Sequence, residues 1–243
     1  MNRAERHHLK DNELANLTGS ARHVVEDNKH SLTLIAGAVV AVLVIGGGYW
    51  AWKSRVNGRA HAKLADAMIV ESAPVGPPPA PGTPGSGVET FLTQRAKDQA
   101  QLTKFKVVAD EYPSTEAGIF ARYRMATTYL SLGEAKSATE AFQQVVDASG
   151  KTSLYGQTAR LGLAEALAQS GAYDQAIANF SELAQNKDGV VPVDAVLPRL
   201  ARVYIAAGKK ADAQRALTRL IDEFPNSPFT AEARRTLEEL KKG

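Results

Sequence analysis

Apolar and polar positions divide the chain into stretches with different rules. From Leu32 to Trp52, "LTLIAGAVVAVLVIGGGYWAW", no residue is charged, so a helix there has no polar face. From Arg59 to Val70 the apolar residues Leu64, Ala65, Met68 and Ile69 recur at the spacing of one helical face. From Gln94 onward amphipathic stretches of helical period follow one another, with no alternation of the kind a strand requires. Between these regions "SAPVGPPPAPGTPGSGV", Ser72 to Val88, holds six of the eleven prolines and predicts an extended loop joining two helices. The pattern predicts an all-α protein.

The charge-free run is long enough to be an anchor. At about 1.5 Å per residue it makes roughly 32 Å of helix, the thickness of a bilayer's hydrocarbon core. A cleaved secretory signal has a short basic start and an apolar run of about 7 to 15 residues. Here 31 residues of mixed charge precede the run, and Tyr49, Trp50, Trp52, Lys53 and Arg55 close it. Such rings and basic side chains sit at a membrane–water interface, and the triplet Gly46, Gly47, Gly48 is tolerated in lipid. The expectation is one uncleaved transmembrane helix. Arg22 and Lys29 flank it on one side and Lys53, Arg55, Arg59 and Lys63 on the other, while Arg3, Arg6 and Lys10 nearly even the count, so charge leaves orientation open.

Three later segments align on a glycine: "MATTYLSLGEAKSATEAFQQV", "LAEALAQSGAYDQAIANFSEL" and "LARVYIAAGKKADAQRALTRL". Gly133, Gly171 and Gly208 are 38 and 37 residues apart. Seven residues before each stands Ala126, Ala164 or Ala201; five after stands Ala138, Ala176 or Ala213; nine after stands Phe142, Phe180 or Leu217. Small residues at the alanine positions let two helices approach closely, the large one fills the gap between pairs, and glycine supplies the left-handed turn. Two corners, "DEYPST" at Pro113 and "DEFPNS" at Pro225, end a helix with proline and supply Ser, Thr or Asn to cap the next. They predict a first, degenerate repeat closed by Phe105 to Tyr112 and a terminal capping helix over Thr230 to Lys242.

These residues resemble the tetratricopeptide repeat, whose period is about 34. The domain organisation expected is a tail (1–31), a transmembrane helix (32–52), a juxtamembrane helix that begins the repeat domain (53–71), a Pro/Gly-rich loop (72–88) and a tetratricopeptide-like array with its capping helix (89–243). In such a stack the first helix of each pair lines the concave face. The resemblance therefore implies a protein-binding surface at Phe120, Tyr123, Thr127 and Leu130, then Thr158, Leu161 and Glu165, then Arg202 and Ile205. Pro198 sits within the last of these helices and disturbs its local register.

The order of tail containing "LKDNELA", span and divergent repeats is similar to bacterial inner-membrane proteins related to the ancillary subunit of the Sec translocon. The proline corners are similar to those of Tol-Pal-associated and outer-membrane-assembly proteins. The resemblance implies a cytoplasmic amino terminus, a periplasmic repeat domain and translocon or envelope-assembly partners. The function it implies is an accessory or chaperone-like role in protein export or envelope assembly. A structural scaffold of an envelope or cell-division complex is the alternative.

Composition removes other classes. From Glu89 onward 20 basic residues face 19 acidic ones, which gives no electrostatic footprint for nucleic acid. There is no cysteine, hence no disulfide, thiol catalysis or Cys-ligated metal. All five histidines, His7, His8, His23, His30 and His61, precede the repeats. The pair His7 and His8 reads as an exposed tail, and the acidic pairs Asp110–Glu111 and Asp222–Glu223 recur at helix ends as solvated corners. With neither a phosphate-cradling glycine loop nor a nucleophile elbow, no enzyme, cofactor, metal or small-molecule substrate is expected. In the tail, Leu14, Leu17, Ala21, Val24 and Val25 form one helical stripe, which suits either a membrane- or partner-docked helix or a plain continuation into the span.

Overall fold

The computed structural model describes residues 29–80, 82 and 84–242; of these, the side chains of 29–32, 35 and 36 fall outside the description. The tail stripe at Leu14, Leu17, Ala21, Val24 and Val25 and the His7–His8 pair lie outside the described residues. The chain divides into two units, 1–55 and 56–243. Among the described residues the elements are α1 (Lys29–Ser72), α2 (Gln94–Glu111), α3 (Glu116–Ser131), α4 (Ala135–Ser149) and α5 (Leu154–Gln169), followed by α6 (Tyr173–Gln185), α7 (Val193–Ala206), α8 (Lys210–Glu223) and α9 (Thr230–Lys242). The fold is all-α, a tetratricopeptide-like array of helical hairpins.

Local chemistry sets the helix ends. Thr93, Thr115 and Ser153 each accept a backbone N–H three residues on, from Ala96, Gly118 and Gly156, and so cap α2, α3 and α5. The first helix of each repeat ends at its glycine, with φ of 81° at Gly133, 83° at Gly171 and 74° at Gly208. One residue further on, the N–H of Glu134, Ala172 and Lys209 donates back to the carbonyl of Tyr129, Leu167 and Tyr204, at 2.9, 2.9 and 2.8 Å. Only a left-handed residue brings that N–H round, which makes this the Schellman closure and explains the glycine.

From α2 onward each helix packs on its neighbours in chain order, and α3 also meets α5. The six register alanines are buried to 1% exposure or less, and Phe142, Phe180 and Leu217 fill the space between successive hairpins. The tightest point is between α4 and α5. A Cβ at Gly162 would lie 2.3 Å from Cζ of Phe142, a side chain that is itself fully buried.

Within the second unit the carboxy-terminal part of α1 joins the repeat core. Ala60, Ala67 and Val70 are buried, Leu64 packs against the core, and Lys63 donates to Glu111 of α2 at 2.6 Å. This corrects the face expected from spacing. Of Leu64, Ala65, Met68 and Ile69 only Leu64 packs inward, while Ala65, Met68 and Ile69 are exposed. The helix buries the small residues Ala60 and Ala67 and leaves the bulkier Met68 and Ile69 outside. The proline loop is pinned at its neck, where Gly76 donates to Phe91 O (2.8 Å) and Phe91 donates to Pro74 O (3.1 Å).

In the first unit the described apolar side chains of α1, among them Val42, Leu43, Val44, Ile45, Tyr49, Trp50 and Trp52, are exposed. Among the described residues no helix is long and apolar enough to cross a membrane. The expected span, Leu32 to Trp52, includes Leu32, Ile35 and Ala36, whose side chains lie outside the described set.

Because Phe142 is walled in and cannot swing away, Gly162→Ala is expected to destabilise the array by about 1–3 kcal/mol, the range of a core overpacked by one methyl group. Thermal unfolding measures it. A variant as stable as the parent would show that α4 and α5 do not meet at Gly162.

Candidate protein-binding surface

The residues singled out from the repeat register lie on α3, α5 and α7, the first helices of their hairpins. On α3, Phe120 and Tyr123 are half-buried and each meets another ring edge to face. Phe120 meets Tyr155 of α5 at 6.3 Å and 65°, and Tyr123 meets Phe142 of α4 at 5.8 Å and 68°. Both rings therefore contribute to packing and still present an edge to solvent. Burial raises the pKa of the Tyr123 phenol, and the nearby Glu165 carboxylate adds to the shift.

Thr127 and Thr158 turn their hydroxyls back onto their own helices, donating to Arg124 O at 2.7 Å and Leu154 O at 2.9 Å. That leaves their methyl groups as the outward chemistry. Leu130 and Leu161 are partly buried against the core. Glu165 accepts from Arg199 of α7 at 2.8 Å, with the two side chains 38% and 34% exposed. Arg202 and Ile205 are exposed and line a cleft of about 180 Å³ between α7 and α9, with Pro198, Glu232 and Thr236.

The structure thus ties Phe120 to the second repeat through Tyr155, and Glu165 to the third through Arg199. Arg202 and Ile205 form a separate group with α9. Sequence reasoning missed Arg124 and Arg199, which share a register place nine residues before Gly133 and Gly208. Arg124 pairs with Glu71 of α1, and burial lowers the pKa of its guanidinium. The Nε of Arg124 and Oε2 of Glu71 are buried without a hydrogen-bond partner. The repeated basic position was a readable signal; its partners, from other helices, were not.

Among the described residues no group of three or more His, Cys, Asp or Glu is placed to hold a metal ion. The surface instead combines aromatic edges, aliphatic methyls and one exchangeable ion pair, chemistry suited to another polypeptide. Stacked helical hairpins presenting such a face define a helical-repeat interaction protein. More particularly, residues 27–227 match the family described as tetratricopeptide repeat-like domain, and the chain belongs to it. Repeats of this kind generally mediate protein–protein interaction, and the fold is typically a non-enzymatic scaffold. Two solved structures from Podosopora anserina, described as a kinesin light chain with nearly identical TPR-like repeats, one of them a point variant, are similar at 15% identity with a TM-score of 0.57. The matches cover 76% of this chain and 86% and 87% of theirs, and the likeness is one of fold. No curated protein matches the chain.

Glu165 and Arg199 are each about one-third exposed, so water screens their attraction. A double-mutant cycle with Glu165→Gln and Arg199→Met is expected to give a coupling of about 0.2–1 kcal/mol in thermal or denaturant unfolding. A coupling several times larger would make the pair a structural strut instead of a contact open to exchange with a ligand.

Proposed function

We propose that this protein is anchored in a bacterial inner membrane by one helix and holds other proteins near that membrane through its repeat array, as an accessory or chaperone-like factor of protein export or envelope assembly. The observation that carries the reading is the first-helix face. Phe120, Tyr123 and Leu161 come from adjacent repeats, keep part of their apolar surface in solvent, and stand beside the exchangeable pair Glu165–Arg199. A partner segment that is apolar on one side and carries a polar or charged group finds both kinds of contact there. Repeat stacks use such faces because several units contribute to one groove.

The anchor is supported by exposed apolar surface. A row of valines, leucine and isoleucine followed by Tyr49, Trp50 and Trp52 has no cover from the described chain, and in water that surface would be costly. A bilayer supplies the cover, with the rings at headgroup level. The orientation proposed, with the repeat domain in the periplasm and the amino terminus in the cytoplasm, is the one the sequence resemblance to translocon-associated proteins implies.

Cross-linking in cells tests the binding face. Changing Tyr123 and Leu161 together to serine is expected to reduce partner capture at least about tenfold, the order of loss when an interface anchor is removed, whereas Lys136→Ser is expected to leave it intact. Varied, short-lived client polypeptides would support the accessory role, and one stoichiometric partner would favour a structural scaffold. A folded double variant that captures at full strength would remove this face from the function.

A further inference from the structure

A second groove lies on the other helices of the hairpins. It has a volume of about 670 Å³, is walled by α4 and α6, and has a buried apolar floor at Val146, Leu163 and Leu167. That volume is within the range of about 300–1,000 Å³ over which proteins hold ligands. Arg160 comes up through the floor. Its side chain is only 9% exposed, and its counter-ion is Glu182 of α6, which is 61% exposed.

The asymmetry of this pair matters. A desolvated guanidinium needs a carboxylate beside it, because a buried charge without one is strongly unfavourable. Glu182 approaches from the solvent side and regains its hydration whenever it swings out. A carboxylate arriving in the groove can take its place with no ion left uncompensated.

The repeat architecture does not account for Arg160. Its counterpart Arg122, also eleven residues before the register glycine, donates from Nη2 to the carbonyl of Ala109 at 2.8 Å and closes the end of α2. In the third repeat the same place is the buried Leu197. Only in the middle repeat does a buried cation face a groove at this register. The walls add the amides of Gln143, Gln175 and Asn179; Gln143 already donates to Asp147 and Asn179 to Gln175 O, and their remaining N–H and C=O groups can pair with an extended backbone, while Lys151 adds a second cation and Glu140 a second carboxylate.

We propose that this groove is a second protein-binding site, which takes an extended segment of a partner whose Asp or Glu side chain replaces Glu182 on Arg160. Apolar residues flanking that acid cover Val146, Leu163 and Leu167. The site is separate from the first-helix face and does not depend on it.

The test uses the full chain in nanodiscs and fluorescent heptapeptide pools, acetylated and amidated, with apolar flanks and Glu, Gln or Lys at the centre. By fluorescence anisotropy the Glu pool is expected to bind about tenfold tighter than the Gln pool, as a charge-assisted pair with arginine should. Arg160→Met is expected to abolish that preference, Glu182→Gln to strengthen Glu-pool binding by removing the competitor, and a change at the exposed Lys210 of α8, Lys210→Ser, to alter neither. A parent protein with no preference for Glu would overturn the proposal, as would a preference that survives in Arg160→Met. Should thermal melting show Arg160→Met unfolded, Glu182→Gln decides: unchanged affinity for the Glu pool overturns the proposal.

Discussion

Two helices joined by a short turn can close only as far as the side chains between them allow, and in this array alanine sets that distance. Ala126, Ala164 and Ala201 on the first helices and Ala138, Ala176 and Ala213 on the second are all essentially without solvent contact. Anything larger would push the pair apart and carry the next hairpin with it. The space that close approach leaves between hairpins is taken by Phe142, Phe180 and Leu217, and at α4–α5 the fit is close enough that Gly162 cannot carry even a methyl group. Interiors packed to this density accept little change in volume, so each hairpin positions its neighbour.

Function follows from what this packing leaves over. The second helices bury Phe142, Phe180 and Leu217 between hairpins, while the first helices present a face where Tyr123 and Phe120 are only half enclosed. Side chains that belong to the core on one edge and to solvent on the other are held rigid before any partner arrives, which lowers the entropic cost of binding. The Glu165–Arg199 pair adds a polar contact between repeats on the same helices. A repeat protein that binds other polypeptides is served by a rigid, mostly apolar face with a few exchangeable charges.

How much of this was readable from sequence depended on repetition. A glycine recurring at 38 and 37 residues, with alanines at fixed offsets, exposed both the hairpins and the left-handed closure, because one physical requirement was written three times. The amino-terminal helix offered no such repetition. Its apolar residues Met68 and Ile69 suggested one face, and the core took Ala60, Ala67 and Val70 instead, so apolar bulk alone did not mark the buried side. Ion pairs were still harder to read. Arg199 finds Glu165 across 34 residues of chain, and only the stacking geometry brings them together. The surroundings of the charge-free run are a property of what covers it, so composition led there to an expectation about the membrane rather than to a contact.

The central claim is that partners are held on the first-helix face. Its most direct measurement is site-specific photo-cross-linking in intact cells, with the photoreactive residue placed either at the half-buried Thr127 of α3, one turn from Tyr123, or at the exposed Arg215 of α8. Cross-linked partner is expected from position 127, lost when Tyr123 and Leu161 are changed, and none from position 215. Cross-links that arise from 215 and not from 127 would contradict it.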